Sequence, residues 1–197
     1  MAIVSQPSVR VPRASPTDDM ARSYRQGISG PLISEAHARR ITADDGELLR
    51  WLMLAATQVP SLSVEHRVLE ARSSTDWDRL AEDSSTSDRR AIFVLAFPSA
   101  TTGEGLLSCS MRGTGEVAEL SCWWIHRPAE GTSAERALFE QVASWAAQRG
   151  ATTLVAAADD HREQVSLLRA GFLHRGVASD GHRPVLTRRT ATPALVD

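Results

Sequence analysis

The apolar residues of this chain fall into two regions with different patterns. In residues 1–38 they follow no period, and four of the chain's nine prolines lie there among many Ser, Arg and Gly residues. This pattern predicts an N-terminal arm and not a packed element. Its role stays open between a floppy tail and an arm that docks on its own domain or on a partner. Regular periods begin after it, which predicts one domain over 39–190 and a short tail over 191–197.

The first half of the domain reads as one strand followed by helices. A short strand over 40–42 precedes a helix that opens at Glu47, has apolar residues at helical spacing and ends at Pro60. Two further helices are predicted over 63–69 and about 74–81, and a polar loop is predicted over 84–88.

The second half changes from strands to helices and back. Three strand-like runs with glycine turns between them predict a β-meander over 91–97, 105–112 and 116–126. The elements that follow are a helix over 133–149, a buried strand over 152–158, a helix to residue 170 and a closing hairpin over 173–177 and 184–188. A crossover helix between two strands implies a parallel pair inside a mostly antiparallel sheet. The predicted fold class is therefore α/β (α+β).

Composition and charge narrow the classes of function. The formal net charge is −2, so no overall basic field points to nucleic acid, and all 22 cationic residues are Arg, which leaves no lysine as a base. Cys109 and Cys122 are too far apart for a zinc signature, so no metal is expected. No apolar run approaches the ~18 residues of a membrane span. We therefore expect a soluble, cytoplasmic protein that has no membrane partner.

Several local sequences in this order resemble the GCN5-related N-acetyltransferase (GNAT) superfamily, over about residues 39–189. They cover the first strand with the start of its helix, the fourth strand with the pyrophosphate loop and third helix, the end of that helix, and the fourth helix with its Gly-Phe ending: 40–45, 124–138, 149–151 and 160–172. The resemblance implies a mixed sheet with helices on both faces and a splayed parallel strand pair. It also implies acetyl-CoA or another acyl-CoA as donor, and an amine of a small molecule or peptide as acceptor. Dimers are frequent among relatives, so a homodimer is one expected state.

By resemblance, the donor-binding residues lie at the end of the fourth strand and in the loop after it. They are Trp124, Ile125, His126, Arg127, Gly131, Thr132, Ser133, Ala134, Glu135 and Arg136. In the family this loop points backbone N–H groups and a helix N-terminus at a diphosphate.

This loop departs from the family's pattern. Glu130 stands where the family usually has Arg, and Ser133 and Glu135 stand where it usually has glycines. A carboxylate beside a diphosphate costs a few kcal/mol at an effective dielectric of about 20, although Arg127 and Arg136 could supply compensating charge. The donor therefore stays open between acyl-CoA and a carrier protein or aminoacyl-tRNA.

Two residues of the fourth strand are candidate bases for acyl transfer to an amine. Glu119 lies early in the strand, one residue farther from Ile125 than in many relatives, so a bulge is needed to return it to the usual face. His126 lies at the strand's end, near the expected thioester. By resemblance, the tyrosine that often protonates the leaving thiolate corresponds to Leu167, so no acid is assigned. A catalytically silent binding module is the remaining alternative.

Overall fold

The predicted β-meander forms the centre of a seven-stranded sheet in a computed structural model, which describes residues 36–56, 66–97 and 102–190. The strands are β1 (His37–Arg40), β2 (Arg90–Ala96), β3 (Gly103–Arg112), β4 (Val117–Ile125), β5 (Thr153–Ala157), β6 (Leu173–Val177) and β7 (Pro184–Arg189). Their order across the sheet is β1-β2-β3-β4-β5-β7-β6. Neighbouring strands are antiparallel except for β4 and β5, which are parallel. The predicted fold class is confirmed.

Five helices of the described residues surround this sheet. They are α1 (Gly46–Ala56), α2 (His66–Glu70), α3 (Ser74–Thr86), α4 (Ser133–Gln148) and α5 (His161–Arg169). Helix α4 begins at the N-cap Thr132 and α5 at the N-cap Asp160, and in each the cap side chain accepts a hydrogen bond from the third helical N–H. None of these helices is long and apolar enough to cross a membrane.

The structure corrects two predicted boundaries. Strand β1 ends at Arg40 and does not run to residue 42, because the side chain of Asp45 accepts hydrogen bonds from the N–H and hydroxyl of Thr42 and turns the chain toward α1. The predicted loop over 84–88 is wrong in its first half, since α3 continues to Thr86.

The predicted arm and tail lie largely beyond the part of the chain that is described. Strand β1 begins at His37, two residues inside the segment assigned to the arm. Three other groups of residues lie outside the described ones: 1–35 and 191–197, the predicted end of the first helix at Pro60, and the start of the helix predicted over 63–69.

Two adjacent tryptophans of β4 show how the sheet is covered on both faces. Side chains alternate along a strand, so Trp123 packs edge-on against Phe139 of α4, with ring centroids 6.0 Å apart. Trp124 points to the other face and meets Trp51 of α1 at 6.4 Å. Both β4 tryptophans are buried. The main apolar core lies on the α4 face, and the candidate site is on the α1 face.

The parallel pair separates partway along its length. Strands β4 and β5 are paired only from Val117 to Glu119, against Thr153 to Val155. Beyond this point β4 continues to Ile125 beside β3, while the rest of β5 pairs with β7. This separation, which we call the splay, is the feature that the family resemblance implied.

Candidate active site

A bulge in β4 decides which face Glu119 occupies. Ser108 of β3 pairs with Cys122, whereas the next residue, Cys109, pairs with Leu120, so Ser121 is the extra residue. The bulge places Glu119 on the same face as Cys122 and Trp124. A bulge of this kind is what the sequence analysis predicted as necessary for Glu119 to lie on the sheet face that the corresponding glutamate occupies in many GNAT relatives.

Although it is on the expected face, Glu119 is held by a neighbour and lies far from His126. Its carboxylate pairs with the guanidinium of Arg112 on β3. Glu119 is also in the stretch of β4 that is still paired with β5. Seven positions separate it from His126, which on a strand is roughly 20 Å. The two candidate bases therefore do not belong to one reaction centre.

His126, at the end of β4, forms a pair with a carboxylate that the sequence did not point to. Its N–H donates to the carbonyl of Glu104 on β3 at 2.7 Å. Its ring Nδ1 lies 2.5 Å from Oε2 of the same glutamate. Glu104 is only 8% exposed. Backbone and side chain of one residue thus fix both the position and the ring orientation of the imidazole.

Glycines on either side of Glu104 allow β3 to approach its neighbours closely. A Cβ on Gly103 would lie 2.7 Å from the carbonyl oxygen of Leu95, and one on Gly105 would lie 3.3 Å from that of Trp124. No L side chain fits at Gly103 without a shift of the backbone. The Gly-Glu-Gly sequence was therefore a local signal for this part of the site.

Aromatic rings form one wall beside the histidine. The ring of Trp124 stacks on that of His126, with centroids 6.1 Å apart and an interplanar angle of 25°, and Trp51 packs edge-on against Trp124. Two indoles and a buried carboxylate thus lie beside the imidazole.

At the mouth of the splay, an arginine of α5 lies across the end of β4. Because the N–H of His126 pairs with β3, the carbonyl of Ile125 points to the opposite side. Nη2 of Arg162 donates to that carbonyl at 3.1 Å. The same guanidinium pairs with the carboxylate of Glu130. The positive charge that compensates Glu130 therefore comes from α5, whereas the sequence had suggested Arg127 and Arg136, which are exposed.

The loop after β4 uses its own N–H groups internally, which decides whether it fits a diphosphate. Residues 127–129 form a 3-10 turn. The N–H groups of residues 129, 130 and 132 donate to carbonyls of the same turn at 2.9, 3.2 and 3.3 Å. The N–H of Gly131, which has a φ of 71°, donates to the carboxylate of Glu135. Four consecutive N–H donors of the loop are thus occupied by acceptors of the chain itself, and in this arrangement none of the four can face the diphosphate of CoA.

Glu135 occupies the place where the family has glycine, and it points inward. It is 3% exposed, and its carboxylate also accepts a hydrogen bond from the hydroxyl of Ser166 on α5. Burial raises the pKa of the Glu135 carboxyl, while the Gly131 N–H and the charge of Arg169 oppose this rise. The sequence allowed for carboxylates that point outward, and Glu135 does the opposite.

The remaining predicted loop residues are placed by the start of α4. Thr132 is the N-cap and accepts from the N–H of Glu135 at 3.4 Å. Ser133 is exposed, Ala134 is half-buried, and both lie in the first turn of α4.

The surroundings of Cys122 favour its neutral thiol over the nucleophilic thiolate. Burial, and after it the charge of Glu163, raise the pKa of this cysteine to about 11. Glu163 lies on the first turn of α5, and burial raises the pKa of its carboxyl too. Sequence reasoning missed Glu163 as a titratable group beside β4. No group of three or more His, Cys, Asp or Glu in the described ranges could hold a metal ion.

Known structures share this fold. The acetyltransferase of the GNAT family from Streptococcus pneumoniae is 16% identical with a TM-score of 0.62, and the match covers 80% of this chain and 100% of that one. The ribosomal-protein-S5-alanine acetyltransferase from Vibrio fischeri is 13% identical with a TM-score of 0.64, over 79% of this chain and 93% of that one. The spermidine N-acetyltransferase from Vibrio cholerae, solved with CoA and spermine, is 12% identical with a TM-score of 0.59, over 80% and 96%.

Sequence comparison adds no closer assignment. No family model matches the chain, and no curated protein matches it. The structural matches confirm that the chain has the GNAT fold over most of its length.

Proposed function

We propose that this chain is an N-acyltransferase, which moves an acyl group from a thioester to an amine of a small molecule or peptide. The observation on which this rests is the His126–Glu104 pair at the mouth of the splay between β4 and β5. Structures of the same fold include enzymes named for acetyl transfer to a ribosomal protein and to spermidine. A cytoplasmic location and a homodimer remain predictions.

The splay is the proposed site of the thioester arm. Residues of β4 that follow Glu119 have no ladder partner in β5. By strand alternation, Trp123 and Ile125 turn their backbone groups away from β3 and toward the splay. The carbonyl of Ile125 accepts from Arg162, so the groups proposed for the arm are the N–H of Ile125 and the N–H and carbonyl of Trp123. An arm with amide groups, such as pantetheine, can pair with such an edge as an added strand does.

In the proposed reaction His126 acts as the base. The amine nitrogen attacks the acyl carbon, the C–S bond breaks, and the thiolate leaves and takes a proton from solvent. The proton lost by the amine is taken at Nε2 of His126, since Nδ1 is held by Glu104. Glu104 is a positioning residue that orients the ring through Nδ1. Glu119 is the second candidate base.

The acceptor surface is proposed at the wall formed by Trp51 and Trp124, where the half-buried Trp51 is the ring that an acceptor can reach, since Trp124 is buried behind it. These rings lie on the α1 face beside His126. A cationic or basic amine is the acceptor class that this wall favours.

A thiol-release assay tests the proposal. Purified protein is mixed with acetyl-CoA or acetyl-pantetheine and with panels of polyamines, small amines and peptides that have free N-termini. We expect thiol release that depends on an amine and falls at least about 100-fold in His126→Ala. His182→Ala, at an exposed position of the β6–β7 hairpin, is the matched control. Equal rates in both variants would exclude His126, and a loss confined to Glu119→Gln would assign the base to Glu119. No amine-dependent release with any donor would support the silent binding module.

A further inference from the structure

The strongest unexplained feature is a cluster that joins the loop after β4 to α5. We call it the loop–helix cluster. It consists of Glu130, Gly131, Glu135, Arg162, Ser166 and Arg169. The three α5 members are spaced by four and three residues, so they lie on one face of the helix.

Two of the groups in this cluster that could bind an anion, the guanidinium of Arg162 and the N–H of Gly131, already have a carboxylate partner from the chain. Arg162 pairs with Glu130, and the N–H of Gly131 donates to Glu135. The guanidinium of Arg169 lies beside the loop, where Nη1 would be 3.2 Å from a Cβ on Gly131. Its charge acts on Glu135. The chain's two carboxylates thus occupy the positions that an anionic ligand would need.

Burial makes this arrangement difficult to open. Glu135 is 3% exposed and also accepts from the buried hydroxyl of Ser166. An incoming diphosphate would have to displace this carboxylate into the apolar surroundings of α4 and α5, or remain beside it. Arg162 would also have to leave both Glu130 and the carbonyl of Ile125.

We infer that this chain recognises its acyl donor through the pantetheine arm alone, and that the 3′-phospho-ADP part of CoA contributes nothing to binding or turnover. This inference rests on the proposed function and names the donor class of the same site, which is an acyl-pantetheine thioester. Two sources share that chemistry: the arm of CoA, and the phosphopantetheine arm of a carrier protein. In the loop–helix cluster, carboxylates of the chain itself pair with the groups that would otherwise bind the phosphates of the nucleotide.

The test compares three donors: acetyl-CoA, acetyl-pantetheine and an acetylated carrier protein. A diphosphate cradle uses remote binding energy, so loss of the nucleotide lowers kcat/KM greatly in an enzyme that has one. Here we expect kcat/KM for acetyl-CoA and acetyl-pantetheine to agree within about threefold, because the loop N–H groups that would hold the diphosphate are occupied by the chain itself. An advantage of more than about tenfold for acetyl-CoA would overturn the inference and leave the proposed function intact. Preference for the carrier protein over both would support the inference and identify the source.

Binding measurements test the inference even if no donor turns over. Calorimetry with 3′-phospho-ADP, pantetheine and CoA is expected to show no heat for the nucleotide and similar affinities for the other two. Tight binding of 3′-phospho-ADP at the wild-type site would refute the inference. Absence of turnover with all three donors would instead refute the proposed function, so the two failures are distinguishable.

Variants of the cluster supply a further readout. Glu130→Gln removes one charge and releases Arg162, so the kcat/KM ratio of acetyl-CoA to acetyl-pantetheine should rise about three- to tenfold. Glu135→Gln should act in the same direction if it folds. Glu140→Gln is the matched control, because Glu140 lies on α4 as Glu135 does, is exposed and pairs with Arg188 away from the loop. A rise of the same size in the control would contradict the assignment.

Discussion

Replacement of Glu104 by Gln tests whether His126 is the base and whether its partner orients it. Gln keeps the size of the side chain but removes the negative charge that faces Nδ1 at 2.5 Å. It also removes the requirement for a single ring tautomer. We expect kcat to fall and KM to change by less than about threefold, because Glu104 does not touch the acceptor in this proposal.

The size of the effect follows from the geometry of the pair. Hydrogen bonds to charged groups contribute about 1.5–3 kcal/mol. The pair is mostly buried, with 27% of the histidine side chain and 11% of the glutamate side chain exposed, so solvent screens it only in part. At about 1.4 kcal/mol for each tenfold change in rate, loss of the charge should lower kcat about 10- to 100-fold.

The assay is steady-state thiol release with a saturating amine, measured on the two single variants and the double variant. If Glu104 acts only through His126, Glu104→Gln has no further effect in the His126→Ala background. Glu82→Gln, exposed on α3, controls for loss of a surface carboxylate. Multiplicative effects in the double variant, or a Glu104→Gln loss that appears wholly in KM, would refute the positioning role.

Three further predictions concern stability and reactivity. Burial alone would raise the pKa of Asp45, but hydrogen bonds, chiefly from Arg39, lower it to about 2. Because the folded pKa lies below the unfolded value, the Asp45 carboxylate stabilises the fold above about pH 4, and this stabilisation is lost as the pH falls through 2. Asp45→Asn should therefore lower the free energy of unfolding, measured by urea titration, by about 1–2 kcal/mol at pH 7 and by little at pH 2. Gly103→Ala, with its Cβ 2.7 Å from the Leu95 carbonyl, should cost about 1–3 kcal/mol. Cys122, with a pKa of about 11, should resist iodoacetamide at pH 8 in the folded protein.

Each of these predictions has an outcome that would contradict it. A loss from Asp45→Asn that is the same at pH 2 and pH 7 would show that its carboxylate does not stabilise the fold by charge. Gly105→Ala has looser contacts of 3.3 Å, so it should be milder than Gly103→Ala. The reverse order would show that the strand spacing is not limiting. Cysteine labelling as fast as in urea would show that Cys122 is accessible and ionised.

Hydrophobic periodicity was enough to predict the order of the described elements. Periods of two and 3.6 residues separate strands from helices, and glycine turns separate the strands. Periodicity failed where polar residues extend an element. The hydroxyls of Ser85 and Thr86 donate to the carbonyl of Glu82, so a segment with loop-like composition continues α3. Local composition does not contain this information.

The site was less predictable because its pairs depend on register. Glu104 and His126 lie 22 positions apart, and they meet only because β3 and β4 align Gly105 with Ile125. The bulge at Ser121 then decides the face of Glu119. No spacing rule within one segment gives a cross-strand pair, and only the flanking glycines marked Glu104 as unusual.

The packing of α5 against the loop also changes the interpretation of the two loop carboxylates, Glu130 and Glu135. Taken alone, each would repel a diphosphate at 4 Å by about 4 kcal/mol at a dielectric of about 20, which suggested a weakened CoA site. In the structure each carboxylate has a partner instead: Glu130 neutralises Arg162, and Glu135 satisfies the N–H of Gly131. Without them, α5 would bring an uncompensated arginine to the loop. The acidic loop and the arginine face of α5 therefore form one unit of paired charges, and this unit is the reason that we infer a donor bound through its pantetheine arm.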